Sequence, residues 1–277
     1  MKISIITVCF NARDTIEETF LSVTNQSYKN VELIVIDGGS TDGTLEIINK
    51  YKDKISYFVS EPDDGIYDAM NKGIKTASGD FIIFLNANDV FYDENVLQKV
   101  SDALNENPEV KFLFGDTDCI SEDKKSSQIM TYEKMKNKFS IMCDNICHQS
   151  IFYHRSLFKK FGIYSDEFKI YADWDFNVKC LVQNNVASIY LPIVISKFQL
   201  GGLCSTVWIR KVCQKEKKAL VKKYYYEYSF LVSGNNFLKN NFGISYKWLT
   251  NSSLCKKGLN LFVSQEKYKL NIKKVSP

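Results

Sequence analysis

Residues 31–44 read VELIVIDGGSTDGT. An apolar, β-rich run over 31–36 stops at Asp37, and a small polar turn with three glycines follows it. Residues 45–51 then carry helical spacing. A continuous apolar run bounded by turn residues indicates a strand buried on both faces. Gly38, Gly39 and Gly43 permit close backbone approach or a positive φ. Thr41 or Asp42 can cap the following helix. The unit is therefore strand, tight turn, helix. It is not a phosphate loop of the GxxxxGK[ST] type, because no lysine follows the glycines. Asp37 is better suited to accept hydrogen bonds from a base or ribose than to hold a phosphate.

The same alternation extends outward in both directions. Residues 3–10 form a β-rich run, and 14–25 have helical spacing with Ile16, Phe20 and Val23 on the inner face. Strands are expected at 55–59 and 81–85, with a helix at 65–76 between them. Runs of this kind joined by helices predict a doubly wound parallel layer with right-handed crossovers. Ligands of such sheets sit beyond the carboxyl ends of the strands. Asp37, the 61–65 stretch and the 86–89 stretch are distant in sequence and all fall at such ends. Further on, a helix is expected at 95–105 and a strand at 110–115 ending at Asp116 and Asp118. An extended segment is expected at 146–154, and a helix at 173–183.

The chain has 277 residues, enough for one large domain or two small ones with a sizeable core. Its net charge of +4 is unevenly spread. From Val207 onward there are 15 Lys and Arg against 3 Glu, or +12, which leaves 21 against 29, or −8, for the rest. We therefore expect a domain over 1–205 and a basic, Tyr- and Lys-rich, mostly helical region over 206–277. That region suits contact with an anionic membrane face or an anionic partner, or is simply a solvated basic surface. Its lysines match no nucleic-acid module, so no nucleic acid is expected as a partner. The eight cysteines include no CxxC pair, and Cys143, Cys147 and His148 are the one cluster. They read as small buried side chains in a reducing compartment. The first residues run straight into a strand, so no secretory leader is expected. No stretch reaches the roughly 18 apolar residues of a membrane span.

Two further stretches carry candidate chemistry. In EPDDGIYDAMNKG (61–73), Pro62 disfavours helix before it, and Asp63 or Asp64 can cap the helix beginning near Gly65. In FLNAND (84–89), a lone carboxylate, Asp89, follows Asn86 and Asn88 at the mouth of a buried strand. One or two carboxylates hold Mg²⁺ or Mn²⁺ when diphosphate oxygens and water complete the shell.

Together with IITVCFN (5–11), His148-Gln149 and YADWD (171–175), these motifs resemble the inverting nucleotide-sugar glycosyltransferases of family 2. The form of 63–73 is similar to the branch of bacterial colanic-acid and surface-polysaccharide transferases. The resemblance covers residues 1–205. It implies a GT-A fold, a Rossmann-like α/β sandwich for nucleotide-diphospho-sugars. It also implies that Asp37 and Asp63 bind the nucleoside, with Thr7 and Asn11 of the first strand and loop beside it. Lys72 is then a phosphate contact, and Asn86-x-Asn88 takes the place of the family's Asp-x-Asp. Asp89 is the remaining metal carboxylate, with His148 assisting at metal or diphosphate, and Asp173 is the catalytic base. Three departures stand out. Asn86 and Asn88 replace acids, which predicts weaker metal affinity or a metal-free site served by cations. Met70 stands where many members carry Arg, and Ala172 where they carry Glu. Gly201-Gly202 is a candidate hinge for a loop over the acceptor.

The expected activity is transfer of a sugar from a UDP- or GDP-linked donor to a hydroxyl of a growing, lipid-linked bacterial surface glycan. The expected location is the cytoplasmic face of the inner membrane. A base takes the hydroxyl proton while a divalent metal or cations steady the leaving diphosphate. The rivals are a non-catalytic nucleotide-sugar binder, suggested by the lost acids, and a sugar-nucleotide pyrophosphorylase. The latter is disfavoured because no glycine-rich loop with Arg and Lys follows the first strand.

Overall fold

The computed structural model describes residues 1–199, apart from 122 and 137, together with 211–224. The chain divides into two compact units, the first reaching Thr206 and the second beginning at Val207. Of the second, residues 211–224 form a helix. The rest of the basic region, and Gly201-Gly202, lie outside the described residues. Among the described residues, no helix is long and apolar enough to cross a membrane.

Four parallel strands carry the first half: β1 (Ile3–Cys9), β2 (Val31–Asp37), β3 (Tyr57–Ser60) and β4 (Phe81–Phe84). Ile3 sits beside both Val31 and Phe81, and Ile34 beside Tyr57, so the four carboxyl ends emerge at one edge. The helices between them are amphipathic, as their sequences require. In α1 (Ile16–Thr24) the buried residues are Ile16, Thr19, Phe20 and Val23, one face of a 3.6-residue period. α1, α2 (Thr44–Lys50) and α4 (Val96–Glu106) share one core with Ile3, Ile5, Leu33, Val35 and Ile83. α3 (Ile66–Thr76) lies on the opposite face, where the space for a side chain at Gly73 is taken by Ile6.

The second half departs from the parallel expectation. All nine strands belong to one sheet, in the order β3-β2-β1-β4-β8-β6-β9-β5, with β7 on β6. β8 (Ile151–His154) runs antiparallel between β4 and β6 (Phe112–Ile120), and β9 (Ser188–Gln199) is parallel to β6. β5 (Asp89–Phe91) pairs antiparallel with β9, and β7 (Ser127–Met130) with β6. Strand β6 runs past the expected end, so Asp116 and Asp118 lie inside it, not after it. Asp116 accepts from the Tyr132 amide and the Tyr190 hydroxyl and serves packing. The β6–β9 register shifts around Asp116. At Gly115 a Cβ would come within 2.8 Å of the Ile193 carbonyl, so the close strand approach there requires glycine.

On the α3 face, an aromatic cluster fills the space above β4, β8 and β6. Phe158 of α6 (Ser156–Phe161) stacks on Phe176 of α7 (Ala172–Val178) at 4.6 Å. Phe84, Tyr153 and Tyr164 pack around them at tilted or edge-on angles. Each fully buried ring is worth about 1.5–3 kcal/mol relative to exposure. This cluster seats α7, and with it Asp173, against the parallel half of the sheet. Asn71 of α3 reinforces the join. Its amide donates to the Tyr164 carbonyl and its oxygen accepts from the Tyr164 amide, both at 2.9 Å, like one rung of a strand ladder.

Candidate active site

The loops after β1, β2 and β3 are knit into one floor. Asn11, at φ 48°, donates its backbone N–H to Ser40 Oγ and accepts the Thr41 amide on Oδ1. Asp37 is fully buried and accepts from the Gly39 and Ser40 amides and from the Ser40 and Ser60 hydroxyls. Burial pushes its carboxyl up, and these hydrogen bonds outweigh that, so it lies below the ordinary value. The carboxylate is the knot of the floor, with its lone pairs already engaged. Asp63 accepts the Gly65 amide on Oδ1. Its Oδ2 occupies the space over Gly38, 2.6 Å from where a Cβ would be, and Phe10 closes the same space at 3.3 Å. Glycine at 38 thus lets a carboxylate and an aromatic ring meet over bare backbone.

Phe10 is 64% exposed, the most exposed of the large apolar side chains described. The sequence reading gave it no role. Its signal was available: an aromatic residue at the carboxyl end of a buried strand, followed by asparagine, a residue type that tolerates the left-handed region.

Lys72 is not a free cation. Its ammonium lies 2.9 Å from Glu61 and 3.4 Å from Asp68 and donates to the Pro62 carbonyl, so it ties the 61–68 loop to α3. The Glu61 hydrogen bond raises its pKa. Thr7 is fully buried in mid-strand and its hydroxyl has no partner, so it has no surface with which to touch a ligand.

After β4 the chain turns sharply. Asn88 takes φ 84°, its amide reaches Thr19 Oγ1, and the Asp89 amide donates to the Asn86 carbonyl. Asp89 is buried, and that burial pushes its carboxyl up to about 7 against the influence of nearby His148 and the Asn86 backbone. Among the described residues, no group of three or more His, Cys, Asp or Glu is arranged to hold a metal ion. Two hard oxygens nonetheless suit one: the Asp89 carboxylate and Asn86 Oδ1, which is buried without a partner. That donor set is enough where a diphosphate supplies the rest. His148 does not join it in this arrangement, because both ring nitrogens face protein groups. Nε2 lies 2.9 Å from Asn86 Nδ2, and Nδ1 lies 3.5 Å from Asp173 Oδ2. Cys147 is a partly exposed residue whose thiol burial pushes up to about 12, an inert packing group.

Asp173, in the first turn of α7, lies against His148. Its Oδ1 accepts from the Tyr67 hydroxyl at 2.9 Å and the Trp174 amide at 2.8 Å. Its Oδ2 accepts from Asn145 Nδ2 at 3.0 Å. Behind Asn145 the chain of bonds continues to Asn177 and then to the Tyr153 hydroxyl, all of it buried or nearly so. The structure thus brings Asn86, His148 and Asp173 together, with Asp89 nearby. It places Asn11, Asp37 and Asp63 together on the neighbouring floor. Tyr67, Asn145 and Asn177 are the residues the sequence reading missed.

A parallel quartet whose loops form a polar floor, joined to a mixed half that supplies a buried carboxylate, defines a GT-A-type transferase. Glycosyl transferase family 2 matches residues 4–162, and the chain belongs to that family. It is 32% identical over 208 residues to the PGL/p-HBAD biosynthesis glycosyltransferase of Mycobacterium tuberculosis, covering 74% of this chain and 79% of that one. It is 30% identical over 249 residues to an uncharacterized glycosyltransferase of Haemophilus influenzae, covering 86% of this chain and 97% of that one. In fold it is similar to S. aureus TarS in complex with UDP-GlcNAc, with TM-score 0.65 and 19% identity over 96% of this chain and 77% of that one. A Pyrobaculum calidifontis mannosyltransferase in complex with GDP-Man and Mn²⁺ aligns with TM-score 0.58 and 16% identity, over 75% and 59%. The chain is a glycosyltransferase.

Proposed function

We propose that the chain moves a sugar, with inversion, from a UDP- or GDP-linked donor to a hydroxyl of a growing, lipid-linked bacterial surface glycan. The observation that carries this reading is the pairing of two features across one crevice. On one side, exposed Phe10 and the Asp63 carboxylate meet over Gly38. On the other, Asp173 is held by Tyr67, Asn145 and the Trp174 amide. An aromatic face beside a carboxylate suits a nucleobase and its ribose. A fixed carboxylate suits removal of one proton.

The roles follow from this placement. Phe10 stacks the base, and Asp63 accepts from nucleoside N–H or O–H groups. Asp37 and Asn11 hold the floor rigid beneath them. Lys72 reaches a phosphate by exchanging Glu61 and Asp68 for it, and Asn86 and Asn88 offer amides to the diphosphate. The acceptor oxygen attacks the anomeric carbon, and its proton passes to Asp173. The bond to the diphosphate breaks on the opposite face, which inverts the centre. A divalent cation held by Asp89 and Asn86 Oδ1 would supply neutralisation of the diphosphate charge. The excess of lysine after Val207 suits peripheral contact with anionic lipid on the cytoplasmic face of the membrane.

Calorimetric titration of UDP, GDP and CDP, with and without Mn²⁺, tests the reading together with the Asp173→Asn variant. One nucleotide should bind in both forms, and Asp173→Asn should lose about 10²–10⁴-fold in turnover. If none of the three nucleotides binds, the donor assignment falls. Unchanged glycan assembly with Asp173→Asn would instead favour a non-catalytic nucleotide-sugar binder.

A further inference from the structure

We infer that strand β3, the free edge of the sheet, is the seat of a homodimer: a second copy of this chain pairs its own β3 antiparallel along it, about a two-fold axis at Val59.

The edge is open and unguarded. β3 ends the strand order, and among the described residues no strand lies on its outer side. Edge strands are ordinarily protected by a lysine, a proline or a bulge. The stretch YFVS carries neither lysine nor proline, and its pairing with β2 runs without a register shift. Tyr57 is 42% exposed and Phe58 is 40% exposed. Adjacent strand residues point to opposite faces, so the edge offers an aromatic ring on each side of the sheet.

The backbone sets the register. The Glu61 amide donates to the Asp37 carbonyl, and the Gly38 amide donates away from β3 to the Cys9 carbonyl. In a parallel ladder alternate residues bond to the same neighbour, so Tyr57, Val59 and Glu61 face β2. Phe58 and Ser60 then present N–H and C=O to the open side. Two antiparallel copies use these groups when Phe58 stands opposite Ser60 of the second copy. That arrangement makes about four backbone hydrogen bonds and puts Val59 on the axis. A slip of one residue would turn the paired groups away from each other. Pro62 has no N–H and ends the ladder.

Charge selects the occupant. The same register sets Lys54 beside Asp64 of the second copy, and symmetry makes this contact twice. Both residues are exposed, and among the described residues neither the ammonium nor the carboxylate has a partner. Glu61, at the same end as Asp64, is already taken by Lys72 at 2.9 Å. Asp53 falls opposite Gly65 and meets no like charge. A cation before the strand and an anion after it match an antiparallel copy of themselves, which is what a two-fold contact requires. A copy running parallel would set Lys54 against Lys54.

Sedimentation equilibrium of the full chain over the micromolar range should show twice the chain mass at the upper end, in exchange with monomer. Phe58→Lys places two ammonium groups diagonally across the axis and should leave a folded monomer, as read by circular dichroism. Lys54→Glu and Asp64→Lys should each weaken self-association about tenfold, because two attractive pairs become repulsive. An equimolar mixture of those two variants should dimerise as tightly as the wild type, since both pairs are then attractive again. Hydrogen exchange at the Phe58 and Ser60 amides should slow as the concentration rises. A monomer throughout the range overturns the inference. A dimer that survives Phe58→Lys, or a mixture that fails to recover, puts the contact elsewhere and also overturns it. Protection of the two amides that is independent of concentration assigns the edge to another segment of this chain and rejects the second copy.

Discussion

Replacing Glu32 with glutamine should destabilise the protein by an amount that depends on pH in a calculable way. Glu32 is buried at the amino end of β2, far from the crevice. It accepts from Lys2 Nζ, from the Ser4 and Ser78 hydroxyls, and from the Ser78 and Gly79 amides. One carboxylate therefore clasps the starts of β1 and β2 and the turn before β4. Burial works to raise its pKa, but the hydrogen bonds from Lys2, Ser4 and Ser78 prevail and lower it from 4.5 to about 2. A depressed folded-state pKa contributes stability above the unfolded value, and that stability is lost as the pH falls through the folded value. The shift corresponds to about 3 kcal/mol at pH 7, shrinking to about 1 kcal/mol at pH 3 and to a few tenths near pH 2. Urea unfolding of wild type and Glu32→Gln across that range gives the difference directly. The gap should be about 3 kcal/mol at neutral pH and should close on acidification between pH 4.5 and 2. A gap that stays constant with pH would refute the reasoning, because it would show that shape and not charge makes the clasp. Nucleotide affinity below the melting range should be unchanged, since the clasp lies at the opposite end of the strands.

Three further outcomes concern the floor of the crevice. Phe10→Ala should weaken nucleotide binding by about 1–3 kcal/mol, the worth of one stacked base, with thermal stability unchanged because the ring is already exposed; calorimetry and a melting curve read both. Gly38→Ala should expel Asp63 from its place over the backbone and lower nucleotide affinity at least about tenfold, while Gly38→Ala combined with Asp63→Gly should recover the fold and not the affinity. Lys72→Met should cost less than about 1 kcal/mol of stability, as expected for a half-exposed ion pair, so a large loss in nucleotide diphosphate affinity measured beside it would report phosphate contact.

The parallel half of the fold was legible because each of its strands is a short, largely apolar run closed by an asparagine or a carboxylate: Asn11, Asp37, Glu61 and Asn86. The floor residues Asn11, Asp37 and Asp63 were legible for the same reason: they are the polar stops of those runs. What the sequence concealed was how the stops use their lone pairs. Asp37 looked like a free acceptor, yet Ser40 and Ser60 already fill it. Lys72 looked like a free cation, but the turn at Pro62 folds Glu61 back onto it. β5 and β7 left no trace because DVF and SQIM offer no continuous apolar run of the kind that marks β4. Tyr67 and Asn145 escaped because their chemistry lies in contacts with Asp173, 106 and 28 residues away in the chain. Asn86 was read as a nucleotide-binding residue in the place of the family's Asp-x-Asp, since nothing local to it announces a histidine 62 positions later.

The rung that Asn71 makes with the backbone of Tyr164 bears on how this enzyme can be recombined with its relatives. A chimera cut after β4 would look natural, because the parallel half ends there and the mixed half begins. Such a cut separates Asn71 from the 162–170 loop it holds, and Tyr67 from the carboxylate it supports. Both ties enter from α3, so α3 and the 162–170 loop form one inheritable block despite the chain between them. Exchange of donor preference among such transferases should succeed when the transplanted segment ends before Gly65, and should fail when it carries α3 without the loop.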